Sequence, residues 1–148
     1  MSKKHAFMVA FLLVSSNFAH SPRVLPLEDE IRAGNALATS FMKLNDVGET
    51  AEQQRIEKYL QKIGDKVAMS STRKLTYTFH LDPHPGFRSA VAYPGGQIIV
   101  GGGVLALMQH EDELAVVLGH EIAHVDLKQC ANRVIEVMQR GSSDCRSI

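Results

Sequence analysis

The chain has 148 residues, 45% hydrophobic and 22% charged, with 16 Lys plus Arg set against 16 Asp plus Glu. This composition excludes a disordered, collagenous or coiled-coil chain, and a net charge of zero argues against a nucleic-acid binder, which needs a basic face. Two cysteines, Cys130 and Cys145, are too few for a disulfide-built scaffold, and the length fits one domain with a modest core.

Residues 1–19 read as a signal peptide. Lys3 and Lys4 precede the apolar run 6–14, and small residues lead to Ala19. As a helix that run is roughly 14 Å long, against a bilayer core of about 30 Å, so it makes no stable membrane span. Cleavage after Ala19 would start the mature chain at His20 and place it in the periplasm or outside the cell. The competing reading is a buried N-terminal helix. Export would permit a bond between Cys130 and Cys145, which the sequence does not establish.

In the mature chain, residues 28–44 carry acidic residues first and then Ile31, Leu37, Ala38, Phe41 and Leu44 at loosely helical spacing. Thr50 with Gln53 three residues on is a capping-box pattern. Ile56, Tyr59, Leu60, Ile63 and Val67 then mark one face of an amphipathic helix. Residues 75–81 alternate and are β-rich, which predicts a strand; 82–86 is a Pro-Gly loop. Segments 90–93 and 97–100 flank Pro94-Gly95-Gly96 and predict a hairpin. Three glycines at 101–103 turn the chain into a short helix over 104–108. Residues 112 to about 139 form one long helical pattern with an acidic first turn. From Gly141 the chain is a polar tail. The domain proper therefore covers residues 20–140.

The chemistry sits in the long helix. His120-Glu121-Ile122-Ala123-His124 is HExxH. Two histidines four apart lie about 40° apart around a helix, one turn up, so both imidazoles reach one ion. Zn²⁺ takes imidazole nitrogen readily and lowers the pKa of a bound water to roughly 7; a carboxylate beside it can accept that proton. This assigns His120 and His124 as metal ligands, Glu121 as catalytic base and one Zn²⁺ per chain. The bland reading is an amphipathic helix with solvated His and Glu; Leu114, Val117, Leu118, Ile122 and Val125 give the helix a core side and favour the site. Gly119 and Ala123 are small enough to let other backbone approach. His80, His84 and His110 read as surface or capping residues. No GxSxG or phosphate loop is present, so nucleophilic serine catalysis is unsupported.

The run from Ser89 through Pro94-Gly95-Gly96-Gln97-Ile98-Ile99-Val100, with Glu111-Asp112-Glu113-Leu114-Ala115 and HExxH behind it, resembles the CAAX prenyl protease/HtpX-like zinc metallopeptidases. These are gluzincins, and the chain is most similar to their exported bacterial branch, the BepA and LoiP type. The resemblance covers about residues 28–138. It implies an α+β, zincin-like fold with N-terminal helices, a small antiparallel sheet and a long active-site helix. It also implies hydrolysis of peptide bonds in misfolded or misassembled envelope proteins, outer-membrane clients among them. Gln97, Ile98, Ile99 and Val100 are then the strand along which an extended substrate pairs. The chain departs from the family where an Asn is usual near Ser89 and where a further His is usual, at Lys128. Gluzincins also take a third zinc ligand, a Glu, from a later helix. The only Glu after His124 is Glu136, expected about 18 Å along the same helix. The expectation is the N-terminal part of a peptidase domain, cut short, with a catalytically inactive binding or chaperone-like remnant as the alternative.

Overall fold

The computed structural model describes residues 24–140. The signal-peptide segment, the polar tail and Cys145 lie outside the described residues. The order is α1 (Leu27–Leu44), α2 (Ala51–Ala68), β1 (Thr78–Asp82), β2 (Ala90–Tyr93), a 3₁₀ turn (Pro94–Gly96), β3 (Gln97–Gly101), α3 (Gly102–Leu105), α4 (Glu111–Asp126) and α5 (Gln129–Arg140). Helices and a small sheet in this order make the fold α+β, as expected. Among the described residues no helix is long and apolar enough to cross a membrane.

The sheet corrects the expected antiparallel one. Its order is β1-β3-β2. β2 and β3 form the expected hairpin arms, with Ala92 opposite Ile98, but β1 joins β3 in parallel, with Phe79 opposite Ile98. The sheet is therefore mixed, and β3 is its middle strand. One face packs on α2 and α4 through Leu60, Ile63, Phe79, Ile98, Val100, Leu118 and Ile122. The other face packs on α1, where Ala38, Tyr93 and Ile99 meet Phe41. Helices on both faces explain why Ile98, Ile99 and Val100 are all fully buried. A strand buried on both sides has no polar face to alternate with.

Local sequence sets most helix boundaries. Thr50 caps α2 by accepting from the Gln53 N–H at 3.1 Å. The other half of the capping box is not made, because the Gln53 amide is buried and donates to the Leu81 carbonyl at 3.2 Å. At α4, the Glu113 carboxylate accepts from the Gln109 N–H at 2.7 Å and the His110 N–H at 3.3 Å, and three acidic residues occupy the first turn. That turn is where the helix dipole favours them. β1 starts three residues later than the alternation predicts, although Tyr77 is already buried.

The long helix expected over 112–139 is two helices. Lys128 has φ of 54°, a left-handed conformation that costs a non-glycine residue roughly 1 kcal/mol or more. The break turns α5 back toward the sheet. There Ala131 is buried and the Cys130 thiol donates to the Ala92 carbonyl of β2 at 2.9 Å. Tertiary contacts, not a Gly or Pro, end α4. Glu136 consequently lies on a separate helix, not further along the HExxH helix.

Two glycines let α1 sit against the turn between β2 and β3. A Cβ on Gly34 would come within 1.7 Å of the Pro94 carbonyl oxygen, and Gly95 holds φ of 72° beneath Ile31. Gly119 is different. A Cβ there would meet only the Val67 side chain, at an ordinary 3.5 Å, which corrects the reading of Gly119 as a site of close backbone approach. Gly119→Ala is expected to raise stability by about 0.5–1 kcal/mol through helix propensity alone. Thermal melting with a parallel zinc titration checks this; a destabilised variant would show that α2 packs on α4 more closely than the structure has it.

Candidate metal and catalytic centre

His120, Glu121 and His124 sit on the last two turns of α4 and form a group whose potential ligand atoms all lie within 4.8 Å of one another; no other such group occurs among the described residues. The imidazoles face each other, Nε2 to Nε2, at 2.9 Å, with ring planes nearly perpendicular. At that distance one Nε2 donates to the other while no metal is bound, and the pair brings two imidazole nitrogens to one place where a metal ion can take both. His120 is exposed and His124 half-buried, so an ion can approach from the outer side of α4. That side also presents Val116, 73% exposed, and Leu127, 66% exposed.

Glu121 leans toward β2, and its carboxylate stays within 4.8 Å of the donor atoms of both imidazoles. It is buried, and its Oε2 has no hydrogen-bond partner among the described residues. Burial pushes its pKa up; the charges of His124 and His120 and the Ala92 N–H pull against that without cancelling it. A buried carboxylate oxygen without a donor is costly unless a ligand or water uses it. The donor set thus fits a zinc ion held by two imidazoles, with a carboxylate free to act on a water beside it.

Ala92 turns its backbone toward this centre: its N–H reaches Glu121 and its carbonyl takes the Cys130 thiol. β2 is the outer strand on this flank. This corrects the assignment of Gln97, Ile98, Ile99 and Val100 as a substrate-pairing strand. β3 is already paired with β1 on one side and β2 on the other, and it has no open edge. Gln97 instead uses its side chain on His80, at 2.8 Å.

The remaining histidines among the described residues stay outside the centre. His84 is tied to Asp82 at 2.6 Å, and His110 precedes α4. Asp126, two residues past His124, is unavailable as a ligand. Its carboxylate accepts from Ser71 at 2.7 Å, Tyr77 at 2.6 Å and the Thr72 N–H at 3.0 Å. Burial would raise the Asp126 pKa, but these bonds hold it below the usual carboxylate range; Tyr77, by burial and then by its bond to Asp126, is pushed up to about 12. A cleft of mixed lining, with Ile56, Leu60 and Leu114 beside Gln109, His110 and Glu111, lies at the other end of α4 and contains none of the three donors.

Sequence reasoning missed the ion pair beneath the centre. Glu30 on α1 is fully buried and meets Arg73 through two bonds, at 2.7 and 2.9 Å. Arg73 also donates to the Val125 carbonyl in the last turn of α4, at 2.9 Å, and Glu30 accepts the Gly95 N–H at 3.3 Å. One ion pair therefore fixes the HExxH helix relative to the turn that starts β3. The four residues are far apart in the chain, and no local pattern signals them.

Comparison with known proteins agrees with this geometry. The mitochondrial metalloendopeptidase OMA1 of Schizosaccharomyces pombe is 36% identical over 70 residues, which is 46% of this chain and 20% of that protein. The chain thus aligns with about a fifth of that relative's length. Residues 50–142, running from the cap of α2 past the end of α5, match peptidase family M48. With more than half of its length matched and HExxH carried on α4 against the sheet, the chain belongs to peptidase family M48.

Proposed function

We propose that the protein is a zinc-dependent metalloendopeptidase of the cell envelope, acting on misfolded or misassembled envelope proteins after removal of residues 1–19. The observation that carries the catalytic reading is the opposed Nε2 pair of His120 and His124 above a buried Glu121 whose Oε2 lacks a donor. Family membership supports a metal-dependent peptidase, and the imidazole pair favours zinc among divalent ions. The basic and apolar N-terminal sequence supports export.

His120 and His124 would hold the ion through their Nε2 atoms. Bound zinc supplies Lewis acidity, polarising the scissile carbonyl and making a neighbouring water acidic. Glu121 takes the proton from the attacking water and can return it to the leaving amine. Its burial serves that role, since a carboxylate with a raised pKa is a stronger base than an exposed one.

Catalytic zinc sites use three protein ligands and one open position. Among the described residues two imidazoles fill that role. Residues 20–148 are therefore expected to bind zinc weakly and to cleave casein-like substrates slowly or not at all. Appending a family-type helix that carries a Glu is expected to raise zinc affinity and chelator-sensitive cleavage together. Tight stoichiometric zinc and efficient cleavage by residues 20–148 alone would show that another donor completes the site. Stronger zinc binding with no cleavage in the extended protein would favour a binding or chaperone-like domain.

A further inference from the structure

We infer that Gln129 is the positioning residue for His124, holding its imidazole in the tautomer that presents Nε2 to the metal. The inference rests on the metal-site reading of His120 and His124, and adds what orients one of them.

An imidazole can ligate through either nitrogen, and the neutral ring carries its proton on the other. A histidine on an exposed helix turn chooses between two tautomers and several ring orientations. Metal sites remove that freedom with an acceptor on the non-ligating N–H, typically a carboxylate or carbonyl oxygen. In this chain the Nδ1 of His124 is hydrogen-bonded to the side-chain oxygen Oε1 of Gln129. An amide oxygen only accepts, so Nδ1 carries the proton. The Nε2 lone pair is then left facing the Nε2 of His120.

The backbone explains how a residue five positions on can reach back. Were α4 to continue unbroken, residue 129 would stand about 140° around the helix from residue 124 and roughly 7.5 Å further along it. The left-handed Lys128 interrupts that course. Residue 129 becomes the first residue of α5, beside the last turn of α4. Cys130, bonded to the Ala92 carbonyl, and the buried Ala131 then anchor the start of α5. A non-glycine residue in this conformation is a cost the fold must offset. Two interactions made possible by the break, Gln129 on His124 and Cys130 on β2, both lie at the catalytic centre. Among the described residues His120 has no corresponding acceptor; its ring meets His124. The site is therefore asymmetric, with His124 oriented by the protein and His120 adjusting to the ion.

The test combines NMR with zinc titration on the 148-residue chain. In the metal-free wild type at about pH 8, where imidazoles are neutral, two-bond ¹H–¹⁵N correlations of His124 are expected to show the Nδ1–H tautomer. Gln129→Ala is expected to give a mixture of tautomers and to weaken zinc binding about tenfold. Gln129→Glu keeps an acceptor of the same reach and is expected to restore both the tautomer and the affinity. Gln129 is exposed, so all three proteins should melt together. An Nε2–H tautomer in the wild type would overturn the inference. So would an alanine variant with unchanged tautomer and affinity, or a glutamate variant that restores neither. The tautomer is read without metal, so failure of zinc to bind the wild type would count against the proposed function and leave the Gln129 result standing.

Discussion

In the protein extended by a Glu-bearing helix, Glu121→Gln is expected to leave zinc affinity nearly unchanged and to reduce peptide hydrolysis by about 10²–10⁴-fold or more. The amide has the same volume as the carboxyl and still offers an oxygen to the Ala92 N–H, so the helix and both imidazoles keep their places. What is lost is the proton acceptor. Glu121 is well suited to that task, because burial raises its basicity, against a smaller opposing pull from the two histidines and the Ala92 N–H. Zinc affinity by competition titration and turnover at saturating zinc separate the two roles. If zinc binding and activity fell by the same factor, Glu121 would be a ligand and not the base.

Arg73→Met is expected to cost about 3–5 kcal/mol of folding stability, because it leaves the Glu30 carboxylate buried without its partner. Urea unfolding at neutral pH measures this. The double variant Glu30→Gln/Arg73→Met removes the orphaned charge and is expected to recover much of the loss. The pH dependence has a definite sign. In the wild type, burial pushes the Glu30 pKa up, but the Arg73 bonds, the Gly95 N–H and the charges of Arg73 and Lys128 outweigh it and hold the pKa below its ordinary 4.5. The pair's contribution is therefore complete above about pH 4.5 and is lost as the pH falls through the lower folded value. In Arg73→Met only burial and the weaker partners remain, the Glu30 pKa rises, and stability improves on mild acidification instead. A variant that loses less than 1 kcal/mol, or keeps the wild-type pH profile, would mean that Glu30 finds another partner.

These two sites differ in how far they could be read from sequence. HExxH is a local pattern: helical spacing brings its residues together wherever the helix goes, and α4 forms as the pattern requires. The cap at Thr50 and the turn at Pro94-Gly95-Gly96 were legible for the same reason. The pairing partner of β1 was not, since nothing in residues 78–82 specifies a parallel neighbour nearly twenty residues away. The unbroken apolar run Ile98-Ile99-Val100 did carry a signal, that of a strand covered on both faces, and it argues against an open edge. The break at Lys128 had no Gly or Pro to announce it; residues on either side continue an amphipathic pattern, and only docking on Ala92 and His124 bends the chain. The Glu30–Arg73 pair is invisible at the level of spacing, because both residues sit in segments that look like ordinary solvated helix and loop.

That pair also bears on when the centre comes into being. Its bonds join residues 43 positions apart between Glu30 and Arg73, 52 apart between Arg73 and Val125, and 65 apart between Glu30 and Gly95. Contacts of such separation form late, after local helices have appeared, since each must first overcome loop-closure entropy. An isolated α4 peptide would carry HExxH and still lack the strand that meets Glu121 and the clamp that sets its last turn. Competence for catalysis is thus a property of the assembled tertiary structure and not of the motif. A chain still in the course of folding would carry the motif without the centre, until its first helix and its sheet have closed around the last turn of α4.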